Sequence, residues 1–242
     1  MVEYDLFQAE ESALQAAETA HAQQTPDAAG YRNALGALIV QFRRLVRESR
    51  RLILHSDRQE KELNALNAKL RQLAAELDYK ATHDPLTGAF NRRAVVDRTE
   101  ALLRGCAVAL IVVDIDHFKC INDECGHPAG DAVIVELVTR LREVAPAEAE
   151  IGRVGGEEFT VVLPQTDLAA AAALAERMRE RVASAAFAAQ SPPREVTASF
   201  GVSYTQCGGA FGDAYGSADA ALYEAKRGGR NTVVCRALAG DT

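Results

Sequence analysis

The sequence predicts an α/β chain (α+β in layout): an N-terminal helical region with a long coiled-coil helix, then a domain with a mixed central sheet flanked by helices. Two observations carry that expectation. From Leu35 to Leu77 one seam of residues keeps an alternating spacing of three and four, the pattern of an under-wound helix. From about residue 82 the period changes, and Val/Ile-rich runs alternate with Ala- and Leu-rich helical segments, the order that builds an α/β layer.

Taken in order, residues 1–20 form a short acidic helix, and the stretch TPDAAG at 25–30 breaks it and starts another. The seam then runs through Leu35, Leu38, Phe42, Leu45, Ser49, Leu52, Ser56, Gln59, Leu63, Leu66, Leu70, Leu73 and Leu77, a helix of about 65 Å at ~1.5 Å per residue. Helices that fold back on their own domain run roughly 8 to 20 residues. A parallel dimeric coiled coil is therefore expected, with polar Ser49, Ser56 and Gln59 setting register or permitting a switch. Arg43, Arg44, Arg47, Arg50 and Arg51 cluster just before them, as a solvated face or as a dock for an acidic partner or the acidic first helix. The expected division is 1–80 regulatory helices and stalk, 81–238 catalytic domain, and 239–242 tail.

In the second half CAVALIVVDID is a buried strand, AGDAVIVELVTRLREVA a helix, and strands flank Gly155 and Gly156. LAAAAALAERMRERVASAA is a helix, REVTASFGVSYT a strand, SADAALYEAKRGG a helix ending on glycine, and RNTVVC a last strand.

Composition narrows the function. A chain of 242 residues, 48% hydrophobic and 25% charged, is ordinary globular protein. A net charge of -7 disfavours non-specific nucleic-acid binding, so a polyanionic ligand would need a metal. Five cysteines with no C-x-x-C pair suit free thiols in a reducing compartment. The longest apolar run, residues 106–113, is far short of the ~18 that span a bilayer, and no leader pattern opens the chain, so a cytoplasmic protein without membrane contact is expected.

The candidate chemistry sits in VVDIDHFKCINDECGHPAGD, residues 112–131. Asp114 and Asp116 leave the C-terminal end of the buried strand, where α/β folds open their ligand crevice and where carboxylates can hold Mg²⁺. Asp116 also has a plain role as the cap of a following short helix. His117, Phe118 and Lys119 bring backbone N–H groups and a cation to the same end, a recipe for phosphate. Asn122 and Asp131 offer the donors and acceptors that read a purine edge, or serve as turn and cap residues. GGEEF at 155–159 is on its face a solvated hairpin tip. If that hairpin lies beside the buried strand, Glu157 comes near Asp114 and the pair becomes a divalent-cation site, with Gly155 and Gly156 leaving room for ligand. Lys226 and Arg230, four apart, face one phosphate group if they share a helix end.

These stretches, with DPLTGAFNRR at 84–93, TASFGVS at 197–203 and ADAALYEAKRGGRN at 218–231, resemble the GGDEF-domain diguanylate cyclases over nearly all of residues 82–236. The resemblance implies a palm-like sheet related to nucleotide cyclases and polymerases. It also implies a reaction in which two GTP become cyclic di-GMP and two pyrophosphates, by attack of a 3′-oxygen on an α-phosphorus with divalent metal. By position it assigns Asp114, the Ile115 carbonyl and Glu157 to Mg²⁺ (or Mn²⁺), Glu157 to deprotonation of the 3′-hydroxyl, and Glu158 to the second acidic signature position. Phe118 and Lys119 are assigned to the phosphates, Asn122 and Asp131 to guanine, Gly155 and Gly156 to approach of the nucleotide, and Lys226 and Arg230 to the terminal phosphates. One half-site holds one GTP, so a homodimer through the stalk is implied, and a regulatory protein binding residues 1–80 is the expected input.

Two departures stand out. The R-x-x-D product-inhibition motif of many members is replaced by Pro146 and Ala149, so no inhibitory site of that kind is expected, and Val154 stands where a tyrosine is common. The alternatives are a cyclase making a mixed GMP-AMP dinucleotide, disfavoured by Asp131, and an inactive receptor or scaffold, disfavoured by the full set of site residues.

Overall fold

The computed structural model describes residues 7–22, 28–187 and 195–237. The acidic first residues, the start of the TPDAAG break and the 239–242 tail lie outside the described residues. Along the chain come α1 (Gln8–Ala22), α2 (Ala28–Thr82), β1 (Phe90–Asn91), α3 (Arg92–Leu103), β2 (Val108–Ile115), α4 (Phe118–Cys125), α5 (His127–Val144), β3 (Glu150–Arg153), β4 (Glu158–Pro164), α6 (Leu168–Ala183), β5 (Ala198–Thr205), α7 (Phe211–Arg227) and β6 (Val233–Ala237). By internal contacts the chain divides into two compact units, Met1–Ala74 and Ala75–Thr242.

In the first unit, Glu10 and Glu11 in the opening turn of α1 complement the positive end of its dipole. Glu10 reaches Arg44 of α2 at 4.0 Å, so one arginine of the basic cluster does meet the acidic first helix. The apolar seam of α2 is uncovered: Leu52, Leu63, Leu66 and Leu70 are each more than half exposed, and no residue of α2 is buried. Leu and charged residues favour the helix all along α2, and Pro85 stands just beyond its last residue, where it biases Asp84 away from helical backbone.

In the second unit the sheet runs β1-β3-β4-β2-β5-β6. β2 is central and antiparallel to both β4 and β5, whereas β1 with β3 and β5 with β6 are parallel. Every residue of β2 is buried, as its Val/Ile/Leu content requires of a strand covered on both faces. Ala109, Ile111, Val113 and Ile115 join one core with α5 and α6, while Val108, Leu110 and Val112 join the other with α3 and α7. Two helix starts follow capping chemistry: Asn91 accepts from the Ala94 amide and Asp167 from the Ala170 amide. Arg140, 4% exposed, donates to the carbonyls of Val182, Ala185 and Ala186 and lies 3.8 Å over the Phe187 ring, closing the end of α6.

The sequence pattern misses α3 and starts α7 six residues late, at Ser217 where the helix begins at Phe211. The Phe211 and Tyr215 rings stack at 5.5 Å against the second core, and that packing holds a first turn that Gly212 and Gly216 make look like loop.

Candidate active site

Asp114 is the last even-numbered residue of β2, so the alternation that buries Val112 toward α7 also turns Asp114 to that face. Its pairing partners are Glu158 on β4 and Ser199 on β5. The hairpin therefore does lie beside the buried strand, and Glu158 stands directly opposite Asp114, with Glu157 one residue back in the turn. The turn is longer than a two-residue tip: Arg153 pairs with Phe159, and the Val154 and Gly155 amides both donate to the Glu158 carbonyl. Phe159, fully buried, faces the opposite core and anchors the hairpin.

From α7, Lys226 Nζ reaches Asp114 Oδ2 at 2.7 Å. Gly201 makes this possible, since a Cβ there would stand 2.0 Å from the Ala218 carbonyl oxygen and 2.4 Å from the Leu222 nitrogen. With only hydrogen at that position α7 lies directly on β5, and one turn beyond Leu222 comes Lys226.

Burial pushes the Asp114 carboxyl above its ordinary range; Lys226 works against that shift, and the charges of Glu158 and Asp116 add to it. Glu157 is raised by burial first and then by the charge of Asp114, with Lys226 again opposing. Tyr215, which the sequence did not single out, is raised by burial and by the neighbouring charges of Glu158 and Asp219. Asp114, Glu157, Glu158 and Lys226 thus share one electrostatic site on the α7 face.

The donor set suits Mg²⁺ bound together with phosphate. Among the described residues no group of three or more His, Cys, Asp and Glu side chains is placed to hold a metal by itself. Two carboxylates are what Mg²⁺ takes when waters and substrate phosphates complete its shell, and Asp114 and Glu157, crowded and raised, are relieved by a cation. Ile115, the last residue of β2, is buried, and its carbonyl belongs to the same strand end.

Beside this cluster α4 begins without a side-chain cap on its first amides, because its N-cap residue His117 is left-handed at φ 58°. The Phe118 side chain is in the core, so what it can offer a phosphate is its backbone N–H, while Lys119 is exposed. Gly130 lets α5 close on Asn122 of α4, since a Cβ there would meet Asn122 Oδ1 at 2.0 Å, and Asp131 is the next residue of α5. That Oδ1 is buried with no hydrogen-bond partner, and Asp131 is exposed, an arrangement open to a polar ligand edge.

The two signature glycines differ. A Cβ on Gly155 would meet Glu158 Oε2 at 2.6 Å, so Gly155 makes room for the second glutamate, whereas nothing lies within 4 Å of one on Gly156. The Gly156 carbonyl is gripped by Arg153, whose Nε and Nη2 lie 3.1 and 2.6 Å away. Arg153 Nη1 is in turn 3.2 Å from both oxygens of Asp84, in the DPLTG stretch just after α2. Neither residue was singled out from sequence, since nothing local relates two positions so far apart.

The shared helical turn expected for Lys226 and Arg230 does not exist. α7 stops at Arg227, Gly228 caps it, and the chain turns left-handed through Gly229 (φ 118°), Arg230 (φ 65°) and Asn231 (φ 43°). The Arg230 amide closes the turn on the Ala225 carbonyl at 3.1 Å. The plain role suggested for Asp116 also fails: it caps nothing on α4 and points inward instead, 5% exposed. The cysteines of the described residues are all free.

Among the described residues no helix is long and apolar enough to cross a membrane. The family model "Diguanylate cyclase, GGDEF domain" matches residues 81–232. The diguanylate cyclase DgcP of Pseudomonas aeruginosa is 42% identical over 157 residues, covering 63% of this chain and 23% of that protein. VdcA of Vibrio cholerae is 35% identical over 200 residues, covering 80% of this chain and 59% of its own length. The chain thus spans less than two thirds of these relatives. Among solved structures, the coiled coil and GGDEF domain of DgcB from Caulobacter crescentus, in complex with c-di-GMP, is 31% identical with a TM-score of 0.69 over 74% of this chain and 98% of that one. Diguanylate cyclase SiaD of Pseudomonas aeruginosa, in complex with its activator SiaC, is 31% identical with a TM-score of 0.63 over 94% of this chain and 97% of that one. With its signature hairpin set against Asp114 and a family match over most of its length, the chain belongs to the GGDEF-domain diguanylate cyclase family.

Proposed function

We propose that the chain condenses two molecules of GTP into cyclic di-GMP with release of two pyrophosphates, and that it works as a dimer held by the seam of α2. The observation that carries the reading is the convergence of Asp114, the GGEEF hairpin and Lys226 on one face of the sheet end, with the Lys226 to Asp114 contact at 2.7 Å.

Each residue has a task in that reaction. Asn122 and Asp131 hold the guanine edge, and the first amides of α4 with Lys119 lie along the phosphates. Asp114, Glu157 and the Ile115 carbonyl hold Mg²⁺ or Mn²⁺, which when bound supplies Lewis-acid stabilisation of charge on the phosphates. Glu157, in the turn just before the cross-strand partner of Asp114, is the signature glutamate that takes the proton leaving the 3′-hydroxyl. As each new 3′-oxygen to α-phosphorus bond forms, an α–β anhydride bond breaks, and Lys226 and Arg230 carry the charge that develops on pyrophosphate.

One such site presents one nucleotide, so two must face each other. An uncovered leucine seam on α2 supplies the means, because joining two domains raises their effective concentration. The SiaD structure, solved with an activator protein and matching 94% of this chain, supports a regulatory protein as the input to the helical region. GTP as substrate places the activity in the cytoplasm.

The test is turnover of GTP by the full chain with Mg²⁺, with products separated by chromatography. Cyclic di-GMP, lost in Asp114→Asn, is the expected result. A dimeric chain that makes nothing refutes the enzyme in favour of a scaffold, and a mixed product from GTP plus ATP refutes the guanine assignment of Asp131.

A further inference from the structure

Asp116 has no role in the reaction as derived above, yet it is more elaborately held than any metal-site residue. It is 5% exposed, and its two oxygens accept three hydrogen bonds. Thr197 Oγ1 donates to Oδ2 at 2.7 Å, Ser199 Oγ to Oδ1 at 2.7 Å, and the Asn231 backbone amide to Oδ2 at 3.0 Å. The first two come from β5 and its approach, and fix the carboxylate to the sheet. The third comes from the turn after α7.

That turn is where Arg230 sits. Arg230 and Asn231 are consecutive non-glycine residues with positive φ, a conformation with a real steric cost that persists only where the surroundings over-determine it. Three contacts do so here: the Arg230 amide on the Ala225 carbonyl, Arg179 Nη1 on Asn231 Oδ1 at 3.0 Å, and the Asn231 amide on Asp116. Only the last ties the turn to the strand end that carries Asp114.

We infer that Asp116 is a positioning residue for the phosphate-binding turn, holding the Arg230 backbone left-handed so that its guanidinium meets the terminal phosphates of GTP. This rests on the reading of Arg230 as a phosphate ligand. It predicts that Asp116 acts on nucleotide affinity through Arg230 and not through the general stability of the domain.

The experiment is a double-mutant cycle on the full chain, reading the Kd of a non-hydrolysable GTP analogue with Mg²⁺ by calorimetry. R230A is expected to weaken binding about tenfold, the scale of a lost charge-assisted hydrogen bond. D116N is expected to weaken it about fivefold in the parent, and by no more than about twofold once Arg230 is alanine, because coupled residues are not additive. Equal effects of D116N in both backgrounds, or parental affinity in D116N, overturn the inference.

Should D116N fail to fold, T197V/S199A removes the hydroxyls that fix the carboxylate while keeping it. A loss of about threefold that vanishes in R230A supports the inference, and a loss that persists there, or none, overturns it. A chain that binds the analogue but makes no cyclic di-GMP refutes the cyclase reading while leaving this cycle decisive. A parent chain that does not bind the analogue refutes both.

Discussion

Replacing Leu63, Leu66 and Leu70 with aspartate is the sharpest test of the stalk. In the single chain these residues are 58%, 57% and 55% exposed, so more than half of each side chain remains to be covered by a partner. Full burial of a leucine contributes roughly 1.5–3 kcal/mol, which leaves about 1 kcal/mol per residue for dimerisation. Six such side chains meet in a symmetric pair, for about 6 kcal/mol, before counting the repulsion of aspartates facing aspartates across the seam. At about 1.4 kcal/mol per decade the dimer dissociation constant rises about 10⁴-fold.

A nanomolar dimer then becomes one that is dispersed at the ~1 μM chain concentration of a turnover assay. Light scattering should give twice the 26.0 kDa chain mass for the parent and the chain mass for the variant. Circular dichroism should show both folded, since the substituted positions lie on an exposed helix face. Turnover per chain should collapse in the variant and recover in proportion to chain concentration, as a bimolecular encounter requires. Full turnover per chain in a strictly monomeric variant would refute the reasoning, and so would a variant that stays dimeric.

Four further outcomes are expected. Asp114 and Glu157 are raised in the folded, metal-free chain, so Mn²⁺ affinity should fall as pH drops along a limb above the ordinary carboxylate range of about 4, as calorimetric titration would read. The sign for stability is the reverse: the contribution of these two groups is fully present below their unfolded values and is lost as pH rises through the raised ones, so denaturant midpoints of D114N should gain over the parent at neutral pH. Arg153→Ala should lower kcat about 10- to 100-fold with little change in far-ultraviolet dichroism, because the Gly156 carbonyl loses its charged donor; unchanged kcat would remove Arg153 from the site. Added cyclic di-GMP at low micromolar concentration should leave initial rates unchanged, since Pro146 and Ala149 offer neither charge of the R-x-x-D motif; product inhibition that spares the active site would refute this.

The parts of this protein that were legible in its sequence are those where one local pattern suffices. β2 was visible because a buried central strand must be a near-continuous apolar run, and the α2 seam because its spacing holds over so many turns. The hairpin was visible from glycines between two β-rich runs, whereas the cross-strand pairing that sets Glu158 opposite Asp114 depends on a register that no local pattern states. The rest depends on distant residues. Asp84 and Arg153 meet only because the DPLTG loop packs against the β3 end, and Asp116 meets Asn231 only after β5 and α7 are in place. The left-handed turn at Arg230 was hidden because the Gly228-Gly229 pair marks where a helix ends but not which way the chain then goes.

The site exists because of a register. β2 sends its odd residues to α5 and α6 and its even residues to α3 and α7, and β4 does the same with Phe159, Val161 and Leu163 against Val162. Asp114 and Glu158, cross-strand partners at the open end of the sheet, therefore both fall on the α7 face, where Lys226 arrives. A slip of one residue in either strand would send a carboxylate into the apolar layer of Phe159 and Phe200 and bring a valine or phenylalanine to the α7 face. The same hydrophobic pattern that fixes the fold thus selects which acids meet. Small residues on β5 complete the selection: Ser199, Gly201 and Ser203 face α7, and a larger side chain at Gly201 would lift the helix and withdraw Lys226 from Asp114. The geometry of this site is a consequence of packing two strands and one helix, and the charged residues need only occupy the positions where that packing opens.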